Sequence, residues 1–205
     1  QKLLRMYGLL ERQFRGYSNV SKYLEQWVAS FADASTVLVT GISAGGFGAG
    51  LDFPQIADAF GADVEGEGPQ MVMIDDSGPP LASDVIPPCL QQQFRDVWGL
   101  DDTVLADCGA DCSDPNDFAT GVISHVATRY PGARLGLFSN GADAVIRGFM
   151  GFGWGDGEYD DCEGTATSVP ADVFEDGLLA LREANEERVS TFYVSRLNGF
   201  YNFGQ

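Results

Sequence analysis

The sequence predicts an α/β fold, a mainly parallel sheet with helices on both faces, and three observations carry that prediction. Four short apolar or β-branched runs recur along the chain, TVLVT (36–40), PQMVMID (69–75), ARLGLFS (133–139) and VSTFYVS (189–195). Between them lie longer segments with apolar residues at helical spacing. The 26 glycines fall at the ends of these runs rather than in a low-complexity tract. A length of 205 residues with 44% hydrophobic content suits the core of one domain spanning residues 1–205, and no repeat or linker divides it.

In chain order, Ser18 can cap a helix, SNVSKYLEQWVASF, whose Val20, Leu24, Trp27, Val28 and Phe31 recur at helical spacing. The buried strand TVLVT follows, then a glycine-rich turn and a second helix from about Gly45 to Phe60, in which Pro54 predicts a kink or an early break. The second strand ends at Asp75 and Asp76. SGPPLASDVIPP, with four of the nine prolines, reads as an irregular crossing before the short helix QQQFRDVWGL. The acidic stretch DDTVLADCGADCSDPND reads as loop, with Asp114 opening the helix FATGVISHVATRY. ARLGLFS leads to the helix GADAVIRGFMGF. A loop, GWGDGEYDDCEGTATSVP, precedes the helix ADVFEDGLLALREANEER and the last strand. That loop is rich in acids but lacks the ligand spacing of a calcium-binding loop, so it reads as solvated surface and no metal site is expected.

The net charge of −18 excludes whole classes of partner. A polyanion repels phosphate backbones and acidic bilayers, so no nucleic acid is expected. No apolar run is long enough to span a membrane. Four cysteines, Cys89, Cys108, Cys112 and Cys162, allow several disulfide connectivities, and the C-x3-C spacing with no neighbouring histidine argues against zinc. The short loop makes a Cys108–Cys112 bridge cheap in chain entropy and leaves Cys89 and Cys162 as the other pair. Disulfides point to an oxidising compartment and to secretion, although no signal peptide opens the chain.

The chemistry concentrates in VLVTGISAGGFGAG, residues 37–50, which sets Ser43 inside G-x-S-x-G. A strand running into that motif and then a helix is the context of a nucleophile elbow. The turn is tight, the serine backbone is strained, and Gly41 and Gly45 supply the small neighbours. The amide of Ala44, at the positive end of the next helix, can donate to an oxyanion. A rival is a dinucleotide fold of the short-chain dehydrogenase kind, with Asp75 or Asp76 as the ribose-binding acid. Its glycine spacing is off by one residue, and the only lysines, Lys2 and Lys22, precede the turn. A second rival is that Ser43 is simply a small turn residue.

VTGISAGGFGAG, MIDDSGPPL and LGLFSNGADAVIRGFMGFG, flanked by FRGYSNVSKYL and by EDGLLALRE with TFYVS, together resemble the pectinacetylesterase family, which includes the Notum-type carboxylesterases. The resemblance runs from Phe14 to Ser195 in one order. It implies an α/β-hydrolase-like fold, a serine carboxylesterase acting on an acyl ester through a Ser, Asp, His triad, and no cofactor. Ser43 matches the nucleophile, Asp143 the triad acid and Ala44 the inner oxyanion amide. Asp143 also follows a strand end, where open α/β sheets place their ligands, though a helix N-terminal aspartate is an alternative reading. Phe149, Met150, Phe152 and Trp154 could line an acyl pocket or pack in the core.

Two parts of that family pattern are missing, the N-terminal strands with their oxyanion turn and the triad histidine after the last strand, where the tail reads RLNGFYNFGQ. His125, the single histidine, precedes Asp143 and lies in a helix that feeds a strand from its N-terminal end, so it reads as an ordinary helix residue. Tyr201 and Asn202, near where the base would fall, are poor proton acceptors near neutrality. The expectation is therefore a fragment of an esterase, with a non-catalytic binding module of the same fold as the alternative.

Overall fold

The computed structural model describes residues 14–62, 68–114, 116–154, 162 and 167–194. Its centre is a four-stranded, fully parallel sheet, ordered β1 (Thr36–Ile42), β2 (Gln70–Asp76), β3 (Arg134–Asn140) and β4 (Val189–Val194). The register brings Ile42, Asp76 and Phe138 into one row, so β1, β2 and β3 end together at the same edge.

The helices are α1 (Gly16–Ser30), α2 (Ala44–Ala59), α3 (Pro88–Trp98), α4 (Val104–Cys108), α5 (Phe118–Arg129), α6 (Ala144–Met150) and α7 (Ala171–Asn185). Strands added in sequence order by right-handed crossovers place every connecting helix on one side. The burial pattern agrees. Met71, Met73, Leu135, Leu137 and Val189 are buried with Val39, against Phe53, Ala57, Val122, Val126, Phe174 and Leu178 from the helices. On the other face Leu38 is 56% exposed and Ile42 61% exposed, with Phe138 also open. The second helical layer expected from the sequence is not found among the described residues.

Local chemistry changed several expected boundaries. Helix α1 starts at Gly16 with Arg15, not Ser18, at its N-cap, and buries only Leu24; Trp27 and Phe31 remain exposed. Helix α2 continues through Pro54, whose ring is buried with Phe53, and whose carbonyl lies 3.2 Å from Tyr130 Oη. A proline costs a helix its own amide bond. The packing of Phe53, Pro54 and Ala57 offsets that cost. The cysteine segment is not a loop but a 3-10 turn (Leu100–Asp102), α4, and a second 3-10 turn (Gly109–Cys112), with Val104, Leu105, Cys108 and Cys112 buried. Asp117 rather than Asp114 occupies the N-cap position of α5, without a side-chain capping bond.

Both disulfides form, Cys108–Cys112 within that segment and Cys89–Cys162 across a separation of 73 residues. The long one removes far more freedom from the unfolded chain, worth about 4 kcal/mol against about 2 for the short one on a loop-entropy model. Gly153, at φ 83°, packs against the Cys89 and Cys162 sulfurs, where a Cβ would be in collision. No described helix is long and apolar enough to cross a membrane.

Candidate active site

Strand β1 passes into α2 through one residue, Ser43, with φ 58° and ψ −119°. A non-glycine residue in that region costs about 1–3 kcal/mol and persists only where its surroundings hold it. Three contacts do so here. The Ser43 N–H donates to the Asp76 carbonyl at 2.7 Å, which ties the turn to the end of β2. The Ser43 carbonyl accepts from Gly46 N at 2.9 Å and Phe47 N at 3.2 Å, starting the helix. Gly41 lies so close to Gly45 that a Cβ on it would overlap the Gly45 carbonyl.

The second close approach differs from the one the motif suggested. Gly45 has nothing within 4 Å of where its Cβ would be. Gly46 is the enclosed residue: a Cβ there would overlap the Asp75 carboxylate and lie 2.8 Å from the Asp76 carbonyl. The first turn of α2 thus rests directly on the end of β2. Ser43 is half-exposed and Ala44 exposed. The Ala44 amide sits in the first helical position, where no intrahelical acceptor exists for it.

Asp75 is the buried charge under this turn, 3% exposed. Strand alternation puts it on the same face as Met71 and Met73. Burial pushes its pKa up to about 7, with Asp76 adding to the rise and a 2.8 Å hydrogen bond from Gly78 N opposing it. Ser77, at φ 63°, donates its hydroxyl to Asp76 Oδ1 at 2.8 Å and its amide to the Phe138 carbonyl at 2.7 Å. The ends of β1, β2 and β3 are therefore linked beyond the sheet. A dinucleotide fold would hold a ribose with an acid at an open strand end, whereas Asp75 is buried beneath Gly46 on the helix-covered face. Period-two alternation along PQMVMID was the signal that could have shown it.

Asp143 lies three residues past β3, at the same end of the sheet as Ser43, with β2 between their strands. It is the N-cap of α6: its Oδ1 accepts from Val145 N and Ile146 N, both at 2.9 Å. The helix-cap role weighed from sequence is thus present, and it fixes the carboxylate in orientation.

His125 has other partners. Its Nε2 lies 3.1 Å from Asp107 Oδ2, and Arg129 bridges Asp107 and Asp58, joining α5 to α4 and α2. Burial works against the Asp107 carboxylate, but the hydrogen bonds from His125 and Arg129 outweigh it and hold its pKa below the usual range. Tyr130, whose hydroxyl donates to Asp58 Oδ1 at 2.7 Å, completes the cluster. These are bonds between helices, and none of them reaches Ser43 or Asp143. The aromatic group after Asp143 divides: Met150 is fully buried, Phe152 and Trp154 pack against the core, and Phe149 is half-exposed and stacked on Phe94. Tyr201, Asn202 and most of the acidic loop before α7 lie outside the described residues.

Compared with protein-family models, curated proteins and solved structures, the chain gives no match.

Proposed function

We propose that this chain carries the nucleophile, the triad acid and one oxyanion donor of a secreted serine carboxylesterase similar to the pectinacetylesterases. The observation that carries the reading is the backbone of Ser43, strained at φ 58° between a parallel strand and a helix. A serine that only closed a turn would be replaced by glycine at no cost to function, whereas a nucleophile elbow requires the side chain there. Ser43 Oγ attacks the acyl carbon, forming the ester bond to the enzyme. The alcohol leaves with the serine proton, relayed by a base, and water then releases the acid. The Ala44 amide holds the oxyanion. Asp143 orients an imidazole, and two strand spacings, about 10 Å, leave room for a ring with a hydrogen bond at each end. His125 is not assigned as that base, because it sits on α5 in the cluster of Asp107, Arg129 and Asp58, whose bonds reach neither Ser43 nor Asp143. The two disulfides fit an oxidising, extracytoplasmic setting. The charge of −18 favours a neutral ester over an anionic polysaccharide or nucleic acid.

The place of the single histidine in the Asp107 cluster also favours a second reading, a non-catalytic binding module that keeps the cleft without the base. Labelling by a fluorophosphonate probe separates the two. Without a base, labelling at Ser43 should be slow, because loss of a triad member costs several orders of magnitude. Added imidazole should restore it in the wild type and not in Ser43→Ala. Labelling that imidazole leaves unchanged supports the binding module, and fast labelling lost in His125→Ala would make His125 the base.

A further inference from the structure

Strand β1 is the first in the sheet order, and no strand among the described residues pairs with its outer edge. The Ser35 carbonyl accepts from Gln70 N and the Ser43 N–H donates to the Asp76 carbonyl, so the odd-numbered residues of β1 bond toward β2. In a parallel ladder the alternate residues face the other way. Thr36, Leu38, Thr40 and Ile42 therefore turn their N–H and C=O groups to the open edge. Proteins commonly blunt such an edge with charge or proline. This one has neither: no residue from Ala34 to Leu51 is charged or a proline, in a chain with 30 acidic and 12 basic residues. On α1, beside the edge, Tyr23, Trp27 and Phe31 recur every four residues and stay about half-exposed, with the Tyr23 and Trp27 rings stacked at 5.5 Å. A groove of about 600 Å³ is walled by α1, β1 and α2 and passes Trp27, Phe31 and Leu38. Its one charged wall residue, Asp52, accepts from Gln55 Nε2 at 2.7 Å.

We propose that the open edge of β1 pairs antiparallel with the β1 of a second copy of this chain, about a two-fold axis at Leu38. The strand is its own complement: TVLVT, residues 36–40, reads the same in both directions. Pairing centred on Leu38 sets Leu38 against Leu38 of the second copy and Thr36 against Thr40, all through outward-facing backbone groups. Such like pairs stabilise a sheet across two strands. Two bodies at −18 repel wherever acids meet, and this neutral edge is where they approach without that local repulsion. The axis also brings the Trp27 and Phe31 stripes of both copies to one side of the joined sheet. The exposed parts of Tyr23, Trp27, Phe31, Leu38 and Ile42 come to about 500 Å² per copy, or about 1,000 Å² for the pair, the size a specific interface needs. The pairing does not depend on Ser43 being a nucleophile.

Sedimentation equilibrium of the 205-residue chain should show a dimer that tightens as NaCl is raised to about 0.5 M, because salt screens the repulsion between the two acidic bodies. Leu38→Glu, at an exposed position, should fold normally and weaken association by on the order of a hundredfold. Cross-linking reads the register. The two disulfides take all four native cysteines, so an added cysteine is the sole thiol. Cα atoms of a hydrogen-bonded pair lie about 5.5 Å apart, within disulfide range, so Leu38→Cys should cross-link to itself under mild oxidation by diamide. Thr36→Cys alone should not, being about 14 Å from its counterpart, whereas Thr36→Cys mixed with Thr40→Cys should. A chain that stays monomeric at every concentration and salt would overturn the proposal and leave the edge to residues 1–13 or to a different protein. So would a dimer that Leu38→Glu leaves intact, or cross-linking of Thr36→Cys as ready as that of Leu38→Cys.

Discussion

Replacing Asp75 by asparagine isolates the energetic cost of the carboxyl group beneath the elbow. In the unfolded chain an aspartate ionises near 3.8, whereas in the folded protein burial holds this one protonated up to about 7. Between those values the folded state binds the extra proton, so stability falls as pH rises from about 4 to about 7 and is level above. The interval corresponds to about 4 kcal/mol, lost by the wild type at pH 8 relative to pH 3 through this group alone. Asparagine keeps the oxygen that accepts from Gly78 N, replaces the acid's O–H with an amide, and does not titrate. Asp75→Asn should therefore match the wild type near pH 4 and exceed it at pH 8 by up to about 4 kcal/mol, or roughly 10 °C in melting temperature for a chain of this size. Urea unfolding of both proteins at pH 4, 6 and 8, with disulfides intact, measures the difference directly. A stability difference that does not change with pH, or one that favours the wild type at pH 8, would refute the account of Asp75 as a carboxyl kept neutral by burial.

Two further outcomes follow from the elbow. Ser43→Gly should be more stable than Ser43→Ala by about 1–2 kcal/mol, because only glycine relaxes a backbone at φ 58°; equal melting temperatures would mean the turn is unstrained. Gly45→Ala should be neutral or stabilising by up to about 1 kcal/mol, while Gly41→Ala should cost more than about 2 kcal/mol through collision with the Gly45 carbonyl. Chemical denaturation of the pair checks this, and equal effects would show that the motif's glycines are interchangeable.

Much of this architecture was legible because it depends on short-range pattern. Apolar runs of strand length, each bounded by glycine or turn residues, located all four strands to within a few residues. G-x-S-x-G after a β-branched strand located the turn at Ser43, since a strand can meet a helix through one residue only where its neighbours are small. The cysteine pairing was legible for a similar reason: a loop as short as that from Cys108 to Cys112 closes cheaply. The helical character of the segment Leu100–Cys112 was not, because four acids and a glycine mask the burial of Val104, Leu105 and both cysteines.

What the sequence determined by itself was therefore local: the four strands, the position of the turn at Ser43, and the placement of Ser43 and Asp143 just past strand ends. Only the tertiary structure decided which glycine must be small, because the close neighbour of Gly46 is Asp75, nearly thirty residues on along the chain. It likewise engaged both His125 and Arg129 with Asp107, and it formed a cavity from α1, α2 and α3, which no single segment contains. Spacing along a chain reports the period of one element, whereas enclosure and pKa depend on which elements come to lie against one another.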